Sequence, residues 1–326
     1  MQVWQDLAQV PDDLGSSVVT IGNFDGVHRG HQAVLGRVVQ LARADGRAAV
    51  ALTFDPHPAQ VHRPEQAPEL LTGLDDRLEL LAATGLDGVL LVRYTLDLAA
   101  LTPEEFVTRY LVEGLRARTV VVGHDVRFGK DNSGTLATMV ELGGRHGFEV
   151  VAVDDVGRLE RPGEGAGDRG SDRWSSSAAR ALLAEGDVEG AAAVLGRAHR
   201  VRGVVVHGDA RGRTLGFPTA NLGAIRGMVP ADGVYAGRLL RPSLPADHPD
   251  AALPAAVSVG TNPTFDGVER RVEAYVLDRT DLDLYDEEVV LELVAHLRPT
   301  LRFDGVDPLV AQMRQDVARA RAILGA

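Results

Sequence analysis

The run GNFDGVHRGHQAVL at residues 22–35 gathers three glycines, Gly22, Gly26 and Gly30, and two histidines three positions apart, His28 and His31. Glycines let a backbone approach a ligand closely, and residues three apart on a helix share one face. Where a strand precedes such a run and a helix opens within it, the helix N-terminus and its unpaired N–H groups converge on an anion. Two imidazoles beside that anion would stabilise the charge on a phosphate. A surface turn with two solvated histidines fits the same letters, and placement after a strand is what favours the phosphate site. A second run, HGDARGRTLGFPTANL at 207–222, spaces glycines at 208, 212 and 216 and ends in Thr219 and Asn221. Such a loop can wrap a nucleotide, and two neutral side-chain oxygens suit a hard cation such as Mg2+, although a hairpin loop would use the same glycines. GHDVRFGK at 123–130 superficially matches a P-loop. Five residues separate its glycines, and Asp131 stands where Ser or Thr must hold magnesium, so that reading is rejected.

The elements that must position these residues follow from hydrophobic patterning. SVVTIG (17–22), AAVALTF (48–54), DGVLLV (87–92), RTVVVG (118–123) and FEVVAV (148–153) are short apolar runs separated by helix-length amphipathic stretches. Continuous apolar strands joined by crossover helices predict a parallel sheet covered on both faces. The segment GRLERPGEGAGDRGSDR (157–173) has the composition of a mobile loop. Two short helices are expected after it, near 176–185 and 187–195, the second capped by Asp187. Beyond residue 200, RVRGVVVHG, DGVYAGRLL, AAVSVG, RRVEAYVLD and EEVVLELVAHLR alternate with Gly, Pro and Asp, which predicts a small antiparallel barrel. Residues 307–323 place Leu309, Met313, Val317 and Ala320 on one face of a terminal helix.

A chain of 326 residues exceeds one ordinary core, so two domains are expected, 1–185 and 186–326. A net charge of -12 argues against long nucleic acids as partners. The absence of cysteine removes disulfides, thiolate nucleophiles and Cys-based zinc sites. No apolar run approaches the roughly 20 residues needed to cross a bilayer, and MQVWQDLAQVPDD lacks the order of a signal peptide. A cytoplasmic protein with no membrane partner is expected, and the sequence leaves open whether it forms a homo-oligomer.

GNFDGVHRGH resembles the signature of the prokaryotic bifunctional riboflavin kinase/FAD synthetase (FMN adenylyltransferase) family, a variant of the HxGH motif of class I nucleotidyltransferases. Three further segments are similar to that family's motifs, in order. TFDPHP (53–58) resembles T-F-x-P-H-P, and GHDVRFGK resembles G-x-D-F-R-F-G with Val126 replacing the aromatic. WSSSAAR (174–180) resembles I-S-S-T-x-I-R, with departures at Trp174, Ser177 and Ala179. The resemblance implies a Rossmann-like, HUP-type domain that adenylylates FMN to FAD, with His28 and His31 catalytic. It implies ATP contacts at Gly22, Asn23, Phe24, Gly26, His28, Gly30, His31, Asp125, Arg127, Ser176, Ser177 and Arg180, and flavin contacts at Phe54, Pro56, His57 and Phe128.

In the second half GRTLGFPTAN resembles riboflavin kinase, and DGVYAG (232–237), VSVGTNPTF (257–265) and VEAYVLD (272–278) follow in the family's order. That resemblance implies a six-stranded barrel with a terminal helix that phosphorylates riboflavin. Gly208, Gly212, Arg213, Gly216, Phe217, Thr219 and Asn221 would then hold ATP, with Thr219 and Asn221 on Mg2+, Glu273 as catalytic base, and Arg298 and Met313 beside the flavin. On patterning alone Glu273 reads as a solvent-facing strand residue. The implied small-molecule partners are riboflavin, FMN, FAD and ATP. A chain with a decayed adenylyltransferase, or a flavin-binding regulator without catalysis, are the competing readings. His28, His31 and Arg180 count against the first, and Glu273 together with Thr219 and Asn221 against the second.

Overall fold

The computed structural model describes residues 1–154, 174–208, 212, 215–264 and 267–326, so the expected loop at 157–172 and Arg213 lie outside the described residues. The chain divides into two compact units, Met1–Glu69 with Leu74–Trp174, and Leu70–Gly73 with Ser175–Ala326.

In the first unit β1 (Gln2–Trp4), β2 (Ser17–Ile21), β3 (Ala48–Asp55), β4 (Gly88–Arg93), β5 (Ala117–Gly123) and β6 (Glu149–Val153) form one sheet in the order β1-β4-β3-β2-β5-β6. All pairings are parallel, as the continuous apolar runs predict. Val19, Val50, Leu52 and Val120 enter the core on one face, while Val18, Ala49, Ala51 and Val121 enter it on the other. That split is the two-residue period of strands covered on both sides. Burying each of these valines and leucines contributes about 1.5–3 kcal/mol, which is why these runs carry so few polar residues. β1 escapes sequence patterning because three residues are too few to show a period. Strand order reverses between β2 and β5, and the carboxyl ends of strands at such a reversal open a crevice where ligands bind. GNFDG leaves β2 and GHDVRFGK begins at the end of β5, so topology brings both segments to that crevice. The helix Arg29–Asp45 runs back along the sheet, burying Leu35, Val38 and Ala42 at helical spacing and ending on Gly46 at φ 62°.

The second unit opens with the helices Ser176–Ala184 and Val188–Leu195, capped by Ser175 and Asp187. β7 (His199–Val206), β8 (Ala220–Arg226), β9 (Gly233–Leu240), β10 (Ala252–Thr264), β11 (Gly267–Val276) and β12 (Glu288–Pro299) then close a barrel in the order β10-β11-β8-β7-β12-β9. Each neighbouring pair is antiparallel. The terminal helix Val306–Leu324 packs Ala320 against Ala236, Ala295 and Leu297. Among the described residues, no helix is long and apolar enough to cross a membrane.

Candidate active sites

In the first unit His28 caps the helix Arg29–Asp45, its Nδ1 accepting the His31 N–H at 3.4 Å. The two rings stack with centroids 3.6 Å apart, so the three-residue spacing does bring both imidazoles together. Phe24 meets the His31 ring edge-on at 5.2 Å and is only 2% exposed, which makes it a buried prop beneath the pair. Gly26 adopts φ 76° in the tight turn before His28. A Cβ on Gly30 would lie 3.0 Å from the His28 ring and 3.1 Å from the Trp174 carbonyl, so any larger residue would press on both. Trp174 also stacks its ring 5.5 Å from the Arg29 guanidinium, which gives the departure from the family's Ile a local partner.

At the end of β3, His57 caps the short helix Pro58–His62 by accepting the Ala59 N–H, and the Asp55–Pro56 peptide is cis. Phe54 packs edge-on against Tyr94 at 5.4 Å and tilts toward Phe106. Phe128 is 5% exposed and belongs to the same aromatic group through Phe106. Asp125 and Arg127 are exposed, Arg127 donating to the Val126 carbonyl, and Val126 itself packs on the core. Ser176, Ser177 and Arg180 lie in the first turns of the helix Ser176–Ala184, in the second unit, where Ser175 supplies the N-cap.

Burial, with a smaller contribution from His28, holds the His31 pKa well below the usual imidazole value, and its Nδ1 is buried without a hydrogen bond. At neutral pH the ring is therefore neutral in the ligand-free protein. Because the folded pKa lies below the unfolded one of about 6.5, the unfolded state binds the proton first as pH falls. Stability is thus full above the unfolded pKa and is lost as pH drops toward the folded value. Both tryptophans, Trp4 and Trp174, lie in this unit, so their fluorescence reports its unfolding. The urea midpoint should fall between pH 7.5 and 5.5, and less so in His31→Gln; an unchanged pH slope in that variant would contradict the assignment.

In the second unit Glu273 of β11 pairs with Asn221 of β8 and Ser258 of β10. Thr219 Oγ1 donates to Glu273 Oε2 at 3.3 Å, and Asn221 Nδ2 donates to the Thr219 carbonyl at 3.3 Å. Gly208 lies so close to the Asn221 amide that a Cβ would overlap it at 2.5 Å. A cavity of about 260 Å³ opens here, lined by Glu273 and Thr219 with the apolar Leu215, Phe217, Tyr275 and Met313. A second, of about 460 Å³, is lined by Gly216, Thr219, Arg279 and Tyr285, the last stacking on His207 at 3.9 Å. Thr219 lines both cavities. Arg298 borders the smaller cavity, but Nε and Nη2 grip Asp316 on the terminal helix at 2.8–3.0 Å and Nη1 donates to the Pro299 carbonyl. Gln312 donates to the same carboxylate at 3.0 Å, so Arg298 anchors the helix that presents Met313. Sequence reasoning missed Asp316, Tyr285 and, in the first unit, the buried Arg77, because a charged or aromatic residue outside a motif reads as an ordinary helix or loop residue.

Comparison with known proteins agrees with this division. Residues 10–162 match the family model for FAD synthetase, and residues 195–324 match that for riboflavin kinase. The bifunctional riboflavin kinase/FMN adenylyltransferase of Escherichia coli (strain K12) is 35% identical over 98% of this chain and 96% of its own length. That of Listeria monocytogenes is 37% identical over 94% and 92%. A solved structure described as a macrolide-efflux protein from Streptococcus pneumoniae is 31% identical, covers 98% of each chain and superposes with a TM-score of 0.83. The chain belongs to the bifunctional riboflavin kinase/FMN adenylyltransferase family.

Proposed function

We propose that the chain makes FAD in two steps, phosphorylating riboflavin with ATP in its second half and adenylylating FMN with ATP in its first. The observation that carries this reading is the meeting of two cavities at Thr219, beside the Glu273 carboxylate. A two-substrate phosphoryl transfer needs such a place, with the donor on one side, the acceptor on the other and a base between them. The apolar cavity bordered by Phe217, Tyr275 and Met313 suits the flat isoalloxazine, and the larger one suits ATP. Glu273 takes the proton of the riboflavin 5′-hydroxyl as that oxygen bonds to the γ-phosphorus and the bond to the departing ADP breaks. Gly208, Gly212, Arg213 and Gly216 serve as the nucleotide loop.

The donor set fits Mg2+. Asn221 spends its amide N–H on Thr219, leaving its oxygen for another partner, and the Thr219 hydroxyl and Glu273 carboxylate lie alongside. Among the described residues no cluster of three His, Cys, Asp or Glu could cage a metal, whereas Mg2+ commonly takes few protein ligands and keeps phosphate and water as the rest. When bound through Thr219 and Asn221, the ion would neutralise charge on the ATP phosphates.

In the first half, the FMN phosphate is already an ionised nucleophile. It forms a bond to the α-phosphorus of ATP while the bond to pyrophosphate breaks, so positioning and charge stabilisation suffice. His28 and His31 supply the latter at the mouth of the helix dipole, with Asp125 and Arg127 as further nucleotide contacts and Phe54, Pro56, His57 and Phe128 on the flavin side. The functional division follows the motif order, 1–185 for adenylyl transfer and 186–326 for phosphorylation, in a cytoplasmic enzyme. Supplying riboflavin or FMN separately with Mg-ATP tests the two halves. ADP should form with the first and pyrophosphate with the second; ADP alone would leave a kinase with a decayed adenylyltransferase.

A further inference from the structure

Arg77, on the helix Leu74–Ala82, is 3% exposed. Its Nη1 donates to the Asn23 carbonyl at 3.2 Å and its Nη2 to Asp55 Oδ1 at 3.4 Å. Thr53 Oγ1 donates to the same Asn23 carbonyl at 3.2 Å. The Arg77 Nε is buried with no hydrogen bond, and burial lowers the guanidinium pKa, while Asp55 and Asp25 push it back up. A cation kept in so enclosed a place is costly to desolvate, and an apolar side chain could fill the same volume. What an apolar side chain could not do is hold two acceptors at a fixed separation, which the planar guanidinium fork does.

The two acceptors identify what is being held. Asn23 belongs to the GNFDG turn that leaves β2, and Asp55 to the TFDPHP turn that ends β3. The first turn is strained at Phe24, φ 50°, and at Val27, φ 37°, on either side of Gly26. Such left-handed residues persist only where their surroundings over-determine them. Anchoring the Asn23 carbonyl from below also fixes the planar trans peptide, which turns the Phe24 N–H to the opposite side.

We infer that Arg77 is a positioning residue for adenylyl transfer, gripping Asn23 and Asp55 together so that the phosphate-side turn and the flavin-side turn keep one geometry. The inference rests on the adenylyltransferase reading above. It also explains why an arginine outside every recognised motif is buried at this point.

The test uses the full chain, with FAD formation from FMN and Mg-ATP measured alongside riboflavin phosphorylation. Arg77→Met should lower kcat for FAD formation about 10²-fold, the loss that a misplacement of roughly 1 Å can cause. KM for ATP and FMN should change less than about threefold, because the interaction lost is one of geometry rather than of ground-state binding. Arg77→Lys keeps the charge but cannot grip both acceptors with one rigid fork, and should lose about tenfold. Riboflavin phosphorylation should be unaffected in both. Tryptophan fluorescence establishes that each variant is folded, and if Arg77→Met is not, Arg77→Lys decides alone. Wild-type kcat in Arg77→Lys, or a loss confined to KM, overturns the inference while leaving the adenylyltransferase reading intact. Failure of the wild-type chain to convert FMN to FAD removes both.

Discussion

Glu273→Gln is expected to lower kcat for riboflavin phosphorylation by about 10²–10⁴, the usual contribution of a general base. The amide preserves shape and can still accept the hydrogen bond that Thr219 gives at 3.3 Å, so the barrel and the nucleotide site should survive. What is lost is the capacity proposed for Glu273, to take the proton of the 5′-hydroxyl. The effect should therefore appear in kcat far more than in KM, and ATP affinity measured by calorimetry should stay near that of the wild type. A loose, dissociative phosphoryl transfer demands less of its base, which places the expected loss toward the lower end of the range. The same preparation should still convert supplied FMN to FAD, since that reaction uses a phosphate that is already ionised. A loss of about tenfold or less would reduce Glu273 to an ordinary barrel residue.

His28→Ala and His31→Ala should have the opposite selectivity. Each removes a group proposed to stabilise charge on the leaving pyrophosphate, a role typically worth about 10²–10³ in rate. FAD formation should fall by that factor while riboflavin phosphorylation continues, because His28 and His31 lie in the first unit and Glu273 in the second. His28 carries a second duty as the N-cap of the helix Arg29–Asp45, and losing a cap costs about 1 kcal/mol of stability. His28→Asn separates the two roles. Asparagine caps a helix well but lacks the imidazole, so this variant should be as stable as the wild type and as slow as His28→Ala. Equal loss of both activities in a folded variant would contradict a two-site enzyme.

The elements that position these groups were legible wherever the sequence carried a period. β2 to β6 announce themselves as apolar runs because both faces of the sheet are covered, and the terminal helix does so because Ala320 and its neighbours recur at helical spacing. β1 is too short to show any pattern. β8 reads as the tail of a glycine-rich loop, since ANLGAIR alternates only weakly and is interrupted by Gly223. The pairing of His28 with His31 follows from their spacing, and the closeness of Glu273 to Thr219 and Asn221 follows from a strand register that no local pattern encodes. Arg298 illustrates the remaining gap. Its motif marked it as a flavin neighbour, but its guanidinium is engaged by Asp316, eighteen positions further on. Such a contact is set by packing of the terminal helix on the barrel and leaves no trace in spacing.

That one chain performs two successive transfers can be read from a time course of riboflavin with Mg-ATP, resolved by HPLC. FMN should accumulate first and then decline as FAD appears, with ADP and pyrophosphate rising in step with the respective transfers. FMN that accumulates without FAD, or riboflavin that binds and is recovered unchanged, would contradict the account.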